Sequence, residues 1–274
     1  MKIKIVDTLI KFLVYPTVIF IKREKETKKE RRDRLRTIKQ LIKNFKDQKL
    51  KYPFGIKEMK KTTEQSKIIS DANRGTNEIL KRYGLPEFFI PDENIHIINK
   101  GWKKFCNFLG NNPKYIGFCY FFRQLIGLLW VENNIGLVRH VIFHEMVHFK
   151  SFRAMAHIST ASKPRCGLRI GEMGLVFDEA ITEELASLFS GKNIGAYIKE
   201  KVSVRILIDK IFDRNLDKFI SESEVFEMFV RAKFTGRLWE LARIIRKSFP
   251  DKKDVFRKLF WLKTDAHLKF VKSL

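Results

Sequence analysis

The sequence predicts an α+β fold, in which a small and mostly antiparallel sheet packs on one apolar helix and a helical subdomain follows. Three observations carry this prediction. Segment 141–149 is apolar except for two histidines and one glutamate at helical spacing. Between residues 94 and 132, short alternating runs rich in β-branched and aromatic residues are typical of strands. From residue 197 to residue 271, apolar residues recur at helical intervals.

Length, charge and cysteine content narrow the class of protein. A chain of 274 residues suits one sizeable domain, or a domain with a small appendage. The net charge of +24 indicates attraction to nucleic acid or to anionic lipid, or a merely solubilising surface. Three cysteines are too few and too odd in number for a disulfide framework, so we expect a reducing, cytoplasmic location.

Residues 1–51 are predicted to form an arm that is first apolar and then basic. Three interpretations stay open for the apolar run 5–21: a poor membrane anchor, an interfacial amphipathic helix, or a helix packed on the main domain. Segment 22–51 carries 14 basic and 5 acidic residues, a net charge of +9, and is predicted to be helical. It could be solvated with internal ion pairs, or it could lie on an anionic membrane surface.

The remaining residues, 52–274, are predicted to form the main domain, with a sheet subdomain at about 85–150 and a helical subdomain at about 178–274. Helices are predicted within 56–83 (ending before Gly84) and from 136 to about 156, and residues 102–109 are predicted to form a short helix or a loop. Strands are predicted at 88–90, 94–98, 115–122, 124–132, 165–170 and 174–177.

The pattern H-E-x-x-H at residues 144–148 is the main candidate for chemistry. On a helix, His144 and His148 lie one turn apart on the same face, where two imidazoles can bind one Zn²⁺. Glu145 lies about 100° around the helix, where its carboxylate can reach a metal-bound water. The alternative is a helix that carries two ordinary histidines and a solvated glutamate.

A second candidate is the pair Glu179 and Glu183, which are four residues apart and share a helical face. Like charges at this spacing repel, and a metal site would resolve the repulsion. Glu179 would be the third zinc ligand, and Glu183 would accept a hydrogen bond from the far nitrogen of a ligand histidine. The alternative is a solvated acidic face.

Four further residues receive simpler predictions. His96 alternates with isoleucines and is expected on the surface of a strand, while His140 is expected to be a buried polar residue. Asp178 is predicted to cap the N-terminus of the helix that carries Glu179. Arg165 is expected on the surface.

The histidine motif H-E-M-V-H and the acidic motif D-E-A-I-T-E resemble the motifs of the gluzincin metallopeptidases. The closest resemblance is to the compact minigluzincins. The resemblance implies a zincin-like fold with one Zn²⁺. It implies His144, His148 and Glu179 as ligands, Glu145 as general base and Glu183 as the carboxylate that orients His144. The gap between the two motifs is longer than in thermolysin, which predicts an inserted strand pair.

The resemblance also implies two substrate-binding features. The edge strand of the sheet, predicted at Gly117, Phe118, Cys119 and Tyr120, would pair with an extended peptide. Tyr197 would donate a hydrogen bond to the oxyanion, although it could instead be a half-buried residue that opens a helix.

The sequence therefore predicts a zinc-dependent peptidase that acts on peptide or protein substrates. The rival hypothesis is a basic protein that binds nucleic acid or a membrane surface, with a structural or vestigial metal site. The sequence contains no motif that supports nucleic-acid binding. Membrane association would occur through residues 1–51, and a third hypothesis is an enzyme kept latent by this arm.

Overall fold

The computed structural model describes residues 18–19, 28–46, 50–132, 134–155 and 165–274. Within these ranges the fold is mixed α+β, with ten α-helices and small sheets, as the sequence predicts. The chain divides into two compact units, Met1–Lys163 and Pro164–Leu274. The division into an arm and a main domain at residue 52 stays a prediction. The apolar run 5–21 lies outside the described residues except for Val18 and Ile19.

The first unit is built around a four-stranded sheet. The strands of this unit are β1 (Val18–Ile19), β2 (Lys57–Glu58), β3 (Ile95–Lys100), β4 (Gly117–Tyr120), β5 (Leu125–Leu129) and β6 (Phe152–Met155). Its helices are α1 (Lys28–Lys46), α2 (Thr63–Arg82), α3 (Trp102–Leu109) and α4 (Ile135–Ser151). The sheet order is β2-β3-β5-β4, with β3 and β5 parallel and both outer pairs antiparallel. Strand β1 pairs with β6 in parallel.

Helix α2 begins and ends with side-chain and backbone caps that its sequence encodes. Thr62 and Gln65 form a capping box, in which each side chain accepts a hydrogen bond from the other residue's backbone N–H. At the other end, Gly84 has a φ of +65° and its N–H donates to the carbonyl of Lys81. This left-handed residue confirms the predicted helix end at glycine.

The predicted strand at 88–90 is wrong, because helix α2 supplies the hydrogen bonds that a strand partner would make. The Asn73 side chain accepts from the N–H of Ile90 at 2.9 Å and donates to its carbonyl at 2.9 Å. The Asn77 side chain accepts from the N–H of Phe88 at 3.3 Å. Phe88 and Ile90 are buried and Phe89 is exposed, and the backbone of the two buried residues pairs with the two amide side chains.

The prediction that His96 lies on the surface is also wrong. His96 is buried, and its Nδ1 lies 2.6 Å from the Tyr52 hydroxyl and 3.1 Å from Glu58 Oε1. The Tyr52 hydroxyl also donates to Glu58. Burial and the Glu58 carboxylate raise the pKa of Tyr52. Burial would raise the pKa of Glu58, but hydrogen bonds from His96 and Tyr52 outweigh it and hold that pKa below its usual value.

Helix α4 ends at Ser151, earlier than the predicted residue 156. Phe152 has extended backbone angles and begins strand β6. Its ring is almost fully buried and stacks on Phe121, with ring centroids 4.8 Å apart. Packing of this aromatic side chain favours the extended conformation over another helical turn.

The second unit is mainly helical, which confirms the helical pattern after residue 197. Its strands are β7 (Arg165–Cys166) and β8 (Arg169–Ile170), which pair antiparallel. Its helices are α5 (Leu175–Ser190), α6 (Ile198–Asp213), α7 (Glu222–Thr235), α8 (Leu238–Ser248), α9 (Val255–Trp261) and α10 (Thr264–Lys272).

Helix α5 begins one turn earlier than predicted, so both the strand at 174–177 and the cap at Asp178 are wrong. Gly174 is the N-cap residue, with a φ of +75°. The Asp178 N–H already donates to the Gly174 carbonyl at 3.0 Å, which is the first helical hydrogen bond. The Asp178 carboxylate instead accepts from the N–H of Leu168 at 2.8 Å and from Lys233 Nζ at 2.5 Å.

Arg165 is 4% exposed, and the prediction that it lies on the surface is wrong. Its guanidinium donates to the carbonyls of Gly167 at 2.5 Å and Lys233 at 3.1 Å. Burial lowers the pKa of Arg165 to about 10. Gly167 has a φ of +57°, and a Cβ there would lie 2.0 Å from Asp178 Oδ1, so only glycine fits this turn.

Among the helices of the described ranges, none is both long and apolar enough to cross a membrane.

Candidate metal centre

Helix α4 brings three histidines onto one buried face. His140, His144 and His148 follow one another at intervals of one turn, and all three are buried. The Nε2 atoms of His144 and His148 lie 3.1 Å apart, and their rings meet edge to face with centroids 4.9 Å apart. His140 is a buried polar residue, as the sequence predicts.

The spacing of the two Nε2 atoms fits a shared metal ion. Two Zn–N bonds of about 2.0–2.1 Å at a tetrahedral angle place the nitrogens about 3.3 Å apart. The observed 3.1 Å is close to this value. The same spacing would suit a hydrogen bond between one protonated and one bare nitrogen. The donor set therefore fits zinc.

Glu145 lies beside the predicted edge strand. Strand β4 has the four predicted residues and is the last strand in the sheet order. A Cβ at Gly117 would lie 2.4 Å from Val141 Cγ1 and 3.3 Å from Glu145 Cγ. Because position 117 is glycine, the strand crosses α4 in direct contact with the Glu145 side chain, which is only 8% exposed.

The other three residues of β4 differ in their environment. Phe118 is buried and packs on Phe105, with ring centroids 5.8 Å apart. Cys119 and Tyr120 are both half-buried. The strand is thus held to the core at Phe118. Its pairing with a peptide stays a prediction.

Lys150, two residues after His148, is a buried charge that the sequence analysis missed. Its Nζ donates to the Asn73 carbonyl at 2.9 Å and to Asn77 Oδ1 at 2.7 Å. Burial lowers the pKa of Lys150 to about 7, although the Glu87 carboxylate opposes this shift. These bonds attach the last turn of α4 to α2. The only feature of the sequence that could have indicated this burial is a single lysine at the end of an apolar helix.

In the second unit, Glu179 and Glu183 lie one turn apart on α5, and both are buried. Glu183 is only 1% exposed. A solvated acidic face, the alternative interpretation of this pair, does not agree with their burial. Two buried carboxylates on one helical face require cations or hydrogen-bond donors to compensate their desolvation.

Asp178 fixes the start of the helix that carries these glutamates. It forms a fully buried ion pair with Lys233, and it also holds the N–H of Leu168 in the preceding hairpin. The loop before α5 is therefore ordered by charge as well as by apolar packing. This support lies directly before Glu179 in the sequence.

Tyr197 is the N-cap residue of α6 and has a left-handed backbone, with a φ of +51°. It is half-buried, and its carbonyl accepts from the N–H of Lys201 at 2.9 Å. These facts place it at the opening of a helix. Its role as an oxyanion donor stays a prediction.

Among the described residues, buried histidine, glutamate and aspartate side chains form groups that could hold a metal ion. Comparisons of the chain with known protein families, curated proteins and solved structures find no match.

Proposed function

We propose that this protein is a zinc-dependent peptidase of the gluzincin type, with a zincin-like fold. The observation that carries the proposal is the pair of Nε2 atoms of His144 and His148, 3.1 Å apart, on a helix whose Glu145 contacts an edge strand. Two imidazoles, a neighbouring carboxylate and a strand edge are the parts that hydrolysis of an extended peptide needs.

In this proposal, His144, His148 and Glu179 hold the zinc ion, and Glu183 orients His144 through its far nitrogen. Zinc in catalytic sites takes three protein ligands and keeps a fourth position open. The burial of all four residues supports the assignment, because buried ligands keep their geometry and exclude competing water.

Bound Zn²⁺ would supply Lewis-acid chemistry, lowering the pKa of a water to about 7 and polarising the scissile carbonyl. Glu145 accepts the proton of the attacking water and passes it to the leaving amine. Strand β4 aligns the substrate backbone alongside Glu145. Tyr197 donates a hydrogen bond to the oxyanion.

Elemental analysis of purified protein tests the metal set first. We expect about one zinc per wild-type chain and far less in Glu179→Ala, because the third ligand is lost. Glu184→Ala is the matched control, since Glu184 lies on the same helix but pairs with Lys201 at 3.2 Å. Equal zinc in Glu179→Ala and in the control would remove Glu179 from the ligand set.

The base assignment has its own test in Glu145→Gln. This variant keeps the side-chain volume and should retain zinc, while hydrolysis of a casein or peptide library falls by about 10²–10⁴-fold. Hydrolysis at the wild-type rate would refute the role of Glu145.

A second candidate function is a basic protein that binds nucleic acid or a membrane surface, with a structural or vestigial metal site. The net charge of +24 favours it. Zinc without hydrolysis in the wild type, together with salt-sensitive binding to a polyanion, would select this candidate. In either case the low and odd number of cysteines, three, suits a cytoplasmic location.

A further inference from the structure

Helix α1 carries a straight row of exposed cations, here called the α1 stripe. Its members are Lys28, Arg32, Arg36, Lys39, Lys43 and Lys46, and each is exposed. At 100° per residue they fall within an arc of about 80°, and at 1.5 Å per residue they extend over about 27 Å. One face of the helix is therefore uniformly positive.

The α1 stripe is not neutralised by the rest of the described chain. In the described ranges, no carboxylate forms an ion pair with any of these six side chains. The predicted alternative, a solvated helix with internal ion pairs, finds no ion pair of these six cations among the described side chains. Neighbouring cations three or four positions apart repel one another and weaken the bare helix. An anionic partner would remove this repulsion.

The opposite face of α1 fixes the direction of the stripe. Leu41 and Phe45 are buried, and the Phe45 ring lies 6.1 Å from that of Phe149 on α4. The Asn44 side chain donates to the Phe122 carbonyl at 2.7 Å, and Asn94 donates to the Phe45 carbonyl at 3.1 Å. Because its apolar face is occupied by the protein's own core, the C-terminal half of α1 cannot turn over.

We propose that the α1 stripe docks the protein on the anionic headgroups of a lipid bilayer. A flat charged surface can meet all six cations of one narrow arc at once. Stacking on single-stranded nucleic acid needs aromatic side chains, and the stripe has none. The apolar run 5–21 precedes the helix in sequence, and an apolar segment next to a basic helix suits a bilayer surface.

The docked helix lies on the headgroups and does not enter the acyl region. The apolar residues Leu41 and Phe45 are committed to the protein core, so attraction is electrostatic. Each Lys or Arg near an anionic leaflet contributes about fivefold to the partition coefficient. Raising the salt concentration shortens the screening length and should release the protein.

Sedimentation with vesicles tests the proposal on the full chain, using phosphatidylcholine with about 30% phosphatidylserine. The stripe variant is Arg32→Gln, Arg36→Gln, Lys39→Gln and Lys43→Gln. We expect its partition coefficient to fall by at least about a hundredfold relative to the wild type. A charge-conserving variant, in which the same two arginines become lysines and the same two lysines become arginines, should bind as the wild type does.

The matched control removes four exposed charges elsewhere, as Arg246→Gln, Lys247→Gln, Lys252→Gln and Lys253→Gln. We expect this control to keep its binding within a few-fold of the wild type. An equal fall in both variants would mean that net charge alone drives association, and the docking surface would be refuted.

Three other outcomes would also overturn the proposal. They are absent binding by the wild type, full binding by the stripe variant, and preference of the wild type for duplex DNA at matched phosphate concentration that the stripe variant loses. The last would assign the stripe to nucleic acid. Thermal unfolding confirms that each variant is folded, and removal of repelling charges should not lower its midpoint. The assay does not depend on zinc, so its failure leaves the peptidase proposal intact.

Discussion

Two lysines, one in each unit, are fully buried but differ in what surrounds the ammonium group. Lys233 on α7 faces the Asp178 carboxylate at 2.5 Å. Lys150 at the end of α4 donates to two neutral acceptors, a backbone carbonyl and the Asn77 side chain. Both have an exposure of 0%. Burial is therefore equal, and the two sites differ in the charge of their hydrogen-bond acceptors.

The difference shows how a buried cation can be accommodated in two ways. A carboxylate compensates the lost hydration of Lys233, so this site depends on both members of a pair. At Lys150, burial outweighs the Glu87 charge and lowers the pKa to about 7. A lysine of this kind is able to lose its proton near neutral pH, and it binds its acceptors in either state.

The largest effect is expected from Asp178→Asn, which breaks the pair at Lys233. The variant leaves the ammonium group buried opposite a neutral amide, and we expect a loss of about 3–5 kcal/mol in the free energy of unfolding. Urea unfolding followed by tryptophan fluorescence measures this loss.

The double variant Asp178→Asn with Lys233→Met serves as the control for that prediction. Removal of the stranded charge should recover part of the lost free energy of unfolding. If the double variant is less stable than the sum of the single variants, Asp178 acts through Leu168 and the ion pair is secondary.

A middle-sized change in the free energy of unfolding, whose sign depends on pH, is expected from Lys150→Met. The folded pKa of about 7 lies below the unfolded value of 10.5, so the unfolded chain binds more protons between these values. Stability of the wild type should therefore rise with pH across that window. The variant should lack this rise and be more stable by about 2 kcal/mol at pH 6. Parallel pH profiles of stability for the two proteins would contradict the prediction.

The smallest effect is expected from Asn77→Asp, which makes Lys150 resemble Lys233. The carboxylate keeps both acceptor roles of Asn77 and removes Nδ2, which has no hydrogen-bond partner within the described part of the chain. We expect a gain of about 1 kcal/mol at pH 7 and a weaker pH dependence above it, because the pKa of Lys150 rises. Asn73→Asp is the control and should destabilise, since it loses the donor to the Ile90 carbonyl.

The parts of the molecule that were predicted correctly depend on local patterns. The period of apolar residues and the cap at Gly84 predicted α2, and the apolar segment around His144 predicted the buried α4. The strand predicted at residues 115–122 from its aromatic and branched composition contains the observed β4. Such signals lie within a few residues of the element that they describe.

The failures at polar residues share a different cause, which is a long-range polar partner. His96 looks like a surface residue because its partners, Tyr52 and Glu58, are 44 and 38 positions away. Asp178 looks like a helix cap because Lys233 is 55 positions away. No local pattern records such partners, and the sequence analysis therefore assigned these polar residues to solvent or to caps.

The hydrogen bonds between Asn73 and Ile90 have a consequence for amide exchange. The Ile90 N–H lies outside every strand, yet it donates to a buried side chain on α2. Its deuterium uptake should therefore be slow and should follow the opening of that helix, not that of the neighbouring sheet. A backbone segment without secondary structure would then report on the opening of a helix around a residue 17 positions upstream in the chain.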